Sequence, residues 1–216
     1  MSTPPPHAPQ TPAVGDGDSA SAVLHRLAET WPEERVALNG LIDALGDRAY
    51  GLLILVLAVP NIVPNPVPGL SGVMGVPLAL VCLQMAAGRA SPWLPRMIGR
   101  RSVSRDGFRR VMAKALPRVR WFERALRPRL PALTTPAMER LLGAVCAGLA
   151  VLLALPIPFG NTPTAIALTI LALGLVERDG VFVAAGLAAA AVGAGIAGML
   201  GWGAVEAWQA AARELL

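Results

Sequence analysis

The sequence predicts an all-α integral membrane protein: two proline-broken helical hairpins, a basic amphipathic interfacial segment between them, and a final transmembrane helix. Three observations carry that expectation. No charged residue occurs from Gly51 to Gly88, from Leu141 to Val176 or from Gly180 to Val205, and each stretch exceeds the ~18–20 apolar residues that cross a hydrocarbon core. Prolines interrupt the first two stretches at corresponding places. Most of the basic residues lie between those two stretches. Only 15% of the 216 residues are charged and 54% are hydrophobic, against about 25% charged in a soluble domain.

Residues 1–20 are rich in Pro, Ser and Gly and lack a basic start followed by an apolar run. They read as a disordered cytoplasmic tail rather than a secretory signal. Residues 21–50 read as amphipathic surface helices. Thr30-Trp31-Pro32-Glu33 has the form of a capping box, with Pro32 tolerated in the first turn. Leu38, Leu41, Ile42 and Leu45 then share a face at helical spacing. Asp47, Arg48 and Tyr50 lead into the first apolar stretch, and Tyr50 suits an interface position.

The first hairpin, residues 51–88, is not one helix. Leu52 to Val59 forms a piece of about 12 Å. Pro60, Pro64, Pro66 and Pro68 follow within nine residues, and each removes a donor and clashes with the preceding turn. Helix resumes from Val73 to Gly88, with Pro77 placed to kink it.

Residues 89–140 hold fourteen of the nineteen basic residues against three acidic ones. Phe108, Met112, Ala115, Val119, Phe122 and Leu126 make an apolar stripe along a helix. Arg105, Arg109, Arg110, Lys114, Arg118 and Arg124 supply its charge, a combination suited to an anionic leaflet. Topogenic charge alone is the simpler account of these residues.

The second hairpin, residues 141–176, breaks at Pro156-Ile157-Pro158-Phe159-Gly160-Asn161-Thr162-Pro163 and resumes at Thr164. A polar turn, Glu177-Arg178-Asp179-Gly180, precedes the last helix over 181–203 and a tail over 204–216. Trp202 and Trp208 are placed as interface anchors. Gly186, Gly193, Gly195 and Gly198 allow close helix approach, which leaves a homodimer open.

Shifting the chain by 90 residues sets Pro66-Val67-Pro68 on Pro156-Ile157-Pro158. Pro/Gly-interrupted apolar segments in corresponding positions mark binding sites in transporter-like folds. Each break reads either as a re-entrant turn at a central site or as a tight loop at the far surface. In the first case Pro60, Asn61, Asn65, Pro66, Pro68 and Ser71 line the site from one side. Pro156, Pro158, Asn161 and Thr162, with Thr164, line it from the other. Asn beside Pro is equally common turn chemistry.

The basic segment places 89–140 and the N-terminus in the cytoplasm and the C-terminus in the periplasm. Both hairpins then enter from one side, related by an axis along the membrane normal. Cys82 and Cys146 lie within apolar stretches, and His7 and His25 have no partners at ligand spacing. No metal site or cofactor is expected. No Ser/His/Asp set or phosphate-cradling glycine loop occurs, so no catalytic residue is assigned. Nucleic-acid binding is disfavoured, because the basic face alternates with an apolar stripe and lacks a reading motif.

Leu45-Gly46-Asp47-Arg48, Ala58-Val59-Pro60-Asn61 and Pro66-Val67-Pro68-Gly69 resemble the ExoD family of bacterial exopolysaccharide-synthesis membrane proteins. So do Gln84-Met85 with Gly88-Arg89, Trp93-Leu94-Pro95, Leu126-Arg127-Pro128-Arg129-Leu130 and Gly174-Leu175-Val176-Glu177-Arg178-Asp179-Gly180. The resemblance implies an inner-membrane protein linked to exopolysaccharide production, with an association with alkaline tolerance. It carries over no catalytic residues. Two roles follow. One is a transporter- or channel-like protein built on the broken hairpins. The other is a non-transporting accessory that docks the polysaccharide-synthesis machinery or anionic lipid such as a polyprenyl-phosphate.

Overall fold

The computed structural model describes residues 22–23, 25–26, 29, 35–62, 70–93, 102–104, 106–110, 113, 117, 126, 130, 133, 135–155 and 160–215. Two compact units make up the chain, one from residues 1–46 and 94–125, the other from 47–93 and 126–216.

In the first unit β1 (Arg35–Ala37) pairs antiparallel with β2 (Ser102–Ser104), placing Val36 opposite Val103. Extended backbone at Arg35–Ala37 stands where the sequence predicts amphipathic surface helices. A β-branched valine at the centre of each strand favours the pairing. Helix α1 (Leu38–Leu45) follows directly, burying Ile42 and Leu45 and exposing Asn39 and Asp43 as the apolar stripe requires. The Thr30 capping box lies outside the described residues. Phe108, first residue of the basic segment's stripe, is buried beside exposed Arg109 and Arg110.

The second unit is helical. Helix α2 (Ala49–Ala58) runs into a 3-10 turn at Val59–Asn61. Helix α3 (Leu70–Ala86) starts earlier than its sequence pattern and continues through Pro77. Helix α4 (Pro136–Ala154) is capped by Thr135, whose Oγ1 accepts from Met138 N at 3.4 Å, with Pro136 in the first turn. Helix α5 (Asn161–Val176) begins three residues before the predicted Thr164, because Pro163 sits in its first turn, where a missing N–H removes no intrahelical bond. Helix α6 (Gly180–Leu215) does not stop at Gly203 but continues to Leu215; the expected tail is helix.

Packing is reciprocal: α2 lies against α5 and α3 against α4, while each hairpin's two helices also touch one another. Glycines permit the closest approaches. A Cβ at Gly51 would stand 2.6 Å from Val176 Cγ2, one at Gly143 would stand 2.5 Å from Ala86 N, and one at Gly75 would stand 2.8 Å from Ala154 Cα. These crossings gather the start of α2, the end of α3, the start of α4 and the end of α5 at one end of the bundle. Ile54, Leu78, Leu142, Leu153, Leu168 and Leu171 form the centre of the core. Cys82 and Cys146 meet there across α3 and α4, thiol to thiol.

Both hairpins close alike. Ala87 N donates to Leu83 O (2.9 Å), Gly88 N to Met85 O (2.9 Å) and Arg89 N to Gln84 O (3.2 Å), with Gly88 at φ 73°. Glu177 N donates to Leu173 O (3.1 Å), Arg178 N to Leu175 O (3.4 Å) and Asp179 N to Gly174 O (2.9 Å), with Arg178 at φ 51°. Each is a Schellman cap, with a left-handed residue satisfying the helix's last carbonyls. Buried Asp179 then caps α6, its Oδ1 accepting from Val181 N at 2.9 Å and Phe182 N at 3.4 Å.

Two helices, Pro136–Ala154 and Gly180–Gly203, are long and apolar enough to cross a membrane; three shorter apolar helices accompany them.

Candidate functional site

At the first break, Pro60 is exposed and Asn61 buried in the 3-10 turn, which packs against α5. The Asn61 Nδ2 donates to Leu57 O at 2.9 Å, so its amide completes the end of its own helix. That is turn chemistry. At the second break, buried Thr164 behaves similarly, its Oγ1 donating to Gly160 O at 2.9 Å. Thr162 is half-buried in the first turn of α5. Asn161 differs: its Oδ1 is buried and has no hydrogen-bond partner among the described residues. A buried unpaired amide oxygen costs on the order of 1–3 kcal/mol, and only a donor arriving from elsewhere recovers it. Asn65, Pro66, Pro68, Pro156 and Pro158 lie outside the described residues, as does the side chain of Ser71.

Of the basic segment, Arg109 Nη2 donates to Glu29 O at 3.4 Å and Arg110 Nε to Asp106 O at 3.3 Å. Arg105, Lys114, Arg118 and Arg124 lie outside the described residues.

Sequence patterns alone do not reveal a second locus, at the bundle end opposite the breaks. A cavity of about 160 Å³ is lined by Tyr50, Met85, Gly88, Arg89, Ala90, Pro136, Glu139 and Arg140. Tyr50 is buried rather than placed at an interface, and its hydroxyl has no hydrogen-bond partner among the described residues. The Arg140 guanidinium lies over Gly88, within 2.8 Å (Cζ) of where a Cβ would stand. Gln84 holds the rim: its Nε2 donates to Trp93 O at 3.1 Å and its Oε1 accepts from Trp93 N at 2.6 Å. This pair of hydrogen bonds folds residues 87–93, Arg89 among them, back on α3.

Close-packing glycines also have visible roles. A Cβ at Gly186 would stand 2.7 Å from Leu171 Cγ, and one at Gly193 would stand 3.1 Å from Pro163 O. Both serve the α5–α6 contact within the chain, whereas Gly195 and Gly198 have nothing within 4 Å.

The family described as "Exopolysaccharide synthesis, ExoD" matches residues 20–199. Protein ExoD of Rhizobium meliloti is 34% identical over 181 residues, covering 81% of this chain and 75% of that protein. An uncharacterized protein of Synechocystis sp. is 30% identical over 153 residues, covering 70% of this chain and 72% of its own. No solved structure matches.

Proposed function

Because the chain belongs to the ExoD family of exopolysaccharide-synthesis proteins, we propose that it is a multi-pass inner-membrane protein whose two broken hairpins form one transporter-like unit serving exopolysaccharide production. The observation that carries this reading is the exchange of equivalent contacts between the hairpins. Gly51 meets Val176, and Gly143 meets Ala86; Val176 and Ala86 are separated by the same 90 residues that relate the two caps, and Gly51 and Gly143 by 92. A two-fold axis along the membrane normal produces that pattern, with both hairpins entering from the cytoplasmic side.

The membrane reading is supported by the outer faces. Val56, Val73, Val76, Leu83, Val151, Val192 and Met199 are each more than half exposed. So large an exposed apolar surface is costly in water, and both candidate spans are mostly unburied, at 39% and 33%, unlike core helices of a soluble protein. The ten residues of α2 with its three-residue 3-10 turn reach about 20 Å, short of a ~30 Å hydrocarbon core. A re-entrant break fits that shortfall. The exposed Trp202 indole, donating to Glu206 Oε1 at 2.8 Å, suits the far interface, with the C-terminus periplasmic.

Within the break region, Asn161 is the residue poised to meet a ligand. Its replacement by Leu is expected to abolish exopolysaccharide output in cells carrying only that variant, with normal abundance and insertion. Wild-type output from Asn161→Leu would end the transporter-like reading and favour the accessory role at the polysaccharide-synthesis machinery.

A further inference from the structure

The geometry points to the Tyr50–Arg89–Arg140 cavity as a binding site for a phosphate monoester carried on a lipid. This inference rests on the membrane reading above, though not on transport.

Floor and mouth differ in character. Tyr50 and Met85 form a buried floor, while Gly88, Arg89, Ala90 and Arg140 form an exposed mouth. Neither Arg89 nor Arg140 has an ion-pair partner among the described residues. Two arginines and one carboxylate, Glu139, line the space, and Glu139 is engaged in an interaction of its own. The balance favours an anion. The start of α4, at Pro136 and Glu139, also faces the cavity, and the positive end of a helix adds to the same potential.

The donors argue for phosphate over carboxylate. Two arginines from different helix ends and a tyrosine from a third line one volume. A planar carboxylate is satisfied by a single fork, whereas a tetrahedral dianion has acceptors for several donors at once. The unpartnered Tyr50 hydroxyl gains a hydrogen bond only when such a group arrives.

A lipid source follows from the surroundings. Leu83, on the last turns of α3, and Leu141, next to Arg140, are both 56% exposed. Both lie within a few residues of the cavity's own lining residues, on helices α3 and α4, which pack together. A phosphate in the cavity with its chain along these leucines satisfies both.

The test uses the full chain in nanodiscs of phosphatidylcholine, with fluorescent phosphatidic acid as probe and inorganic phosphate as the competing free anion. Arg89→Gln and Arg140→Gln are each expected to weaken probe binding about tenfold, and Tyr50→Phe about threefold, the scale of a lost charged and a lost neutral hydrogen bond. Arg140→Lys keeps the charge without the fork and should fall between Arg140→Gln and wild type. Arg213→Gln, at the far end of α6, should bind as wild type. Thermal unfolding of each variant separates lost binding from lost fold. Equal weakening by Arg213→Gln would reduce the effect to net charge and overturn the site. Inorganic phosphate binding as tightly as the probe would overturn the lipid assignment. A chain that binds phosphatidic acid yet supports no transport would retain this site and lose only the transporter reading.

Discussion

Gly88 and Arg178, 90 residues apart, hold the same left-handed backbone and close the same three hydrogen bonds at the ends of α3 and α5. Glycine adopts that conformation without penalty, whereas other L-residues lose about 1–2 kcal/mol there. At Gly88 a side chain would also collide with the Arg140 guanidinium. Gly88→Ala is therefore expected to cost about 2 kcal/mol. Arg178→Ala keeps a non-glycine residue in the same backbone state and removes an exposed side chain with whatever interaction that side chain makes, costing less than the glycine substitution. Thermal unfolding in detergent measures both, and equal losses would mean that the two caps do not share their geometry.

The crossing glycines yield a second expectation. Gly51→Val and Gly143→Val push a side chain into the backbone of a facing helix and should each destabilise the protein by about 2–3 kcal/mol. Gly148→Val and Gly195→Val meet nothing within 4 Å and should be nearly neutral. If all four variants unfold together, the α2–α5 and α3–α4 packing is wrong.

The Gln84 clamp is testable on its own. Gln84→Leu leaves two Trp93 backbone groups unpaired, at about 1–3 kcal/mol, and releases the segment that carries Arg89. Hydrogen exchange at residues 87–93 should rise strongly while the α4 core stays protected. Unchanged exchange there would show that the rim is held by something else.

Much of the helical architecture was legible from charge-free stretches, because long apolar helices are marked by composition alone. Helices lie within each charge-free stretch, and the polar turn at Glu177 precedes the last helix. Boundaries were less legible: Pro163 reads as a breaker yet starts α5, and Ala and Gly after Val205 gave no sign that α6 reaches Leu215. Short β1 and β2 were hidden because three-residue strands have no periodicity to detect. Asn61 was placed at a break from the sequence, whereas its hydrogen bond to Leu57 depends on local geometry. The cavity was invisible for a different reason. Arg89 and Arg140 lie at opposite ends of one basic segment, and only the α3–α4 packing brings them together.

The most direct test of the central claim is the accessibility of the breaks in membranes. Cysteines placed singly at Asn61 and Asn161, with Cys82 and Cys146 replaced by serine, are labelled in sealed vesicles of both orientations. Asn61, buried in the turn that packs against α5, and half-buried Asn161, the first residue of α5, are expected to react with a small hydrophilic thiol reagent and to be protected from a bulky one on either side. Free labelling of both by the bulky reagent from the periplasmic side would contradict it, placing the breaks in far-surface loops and removing the central site.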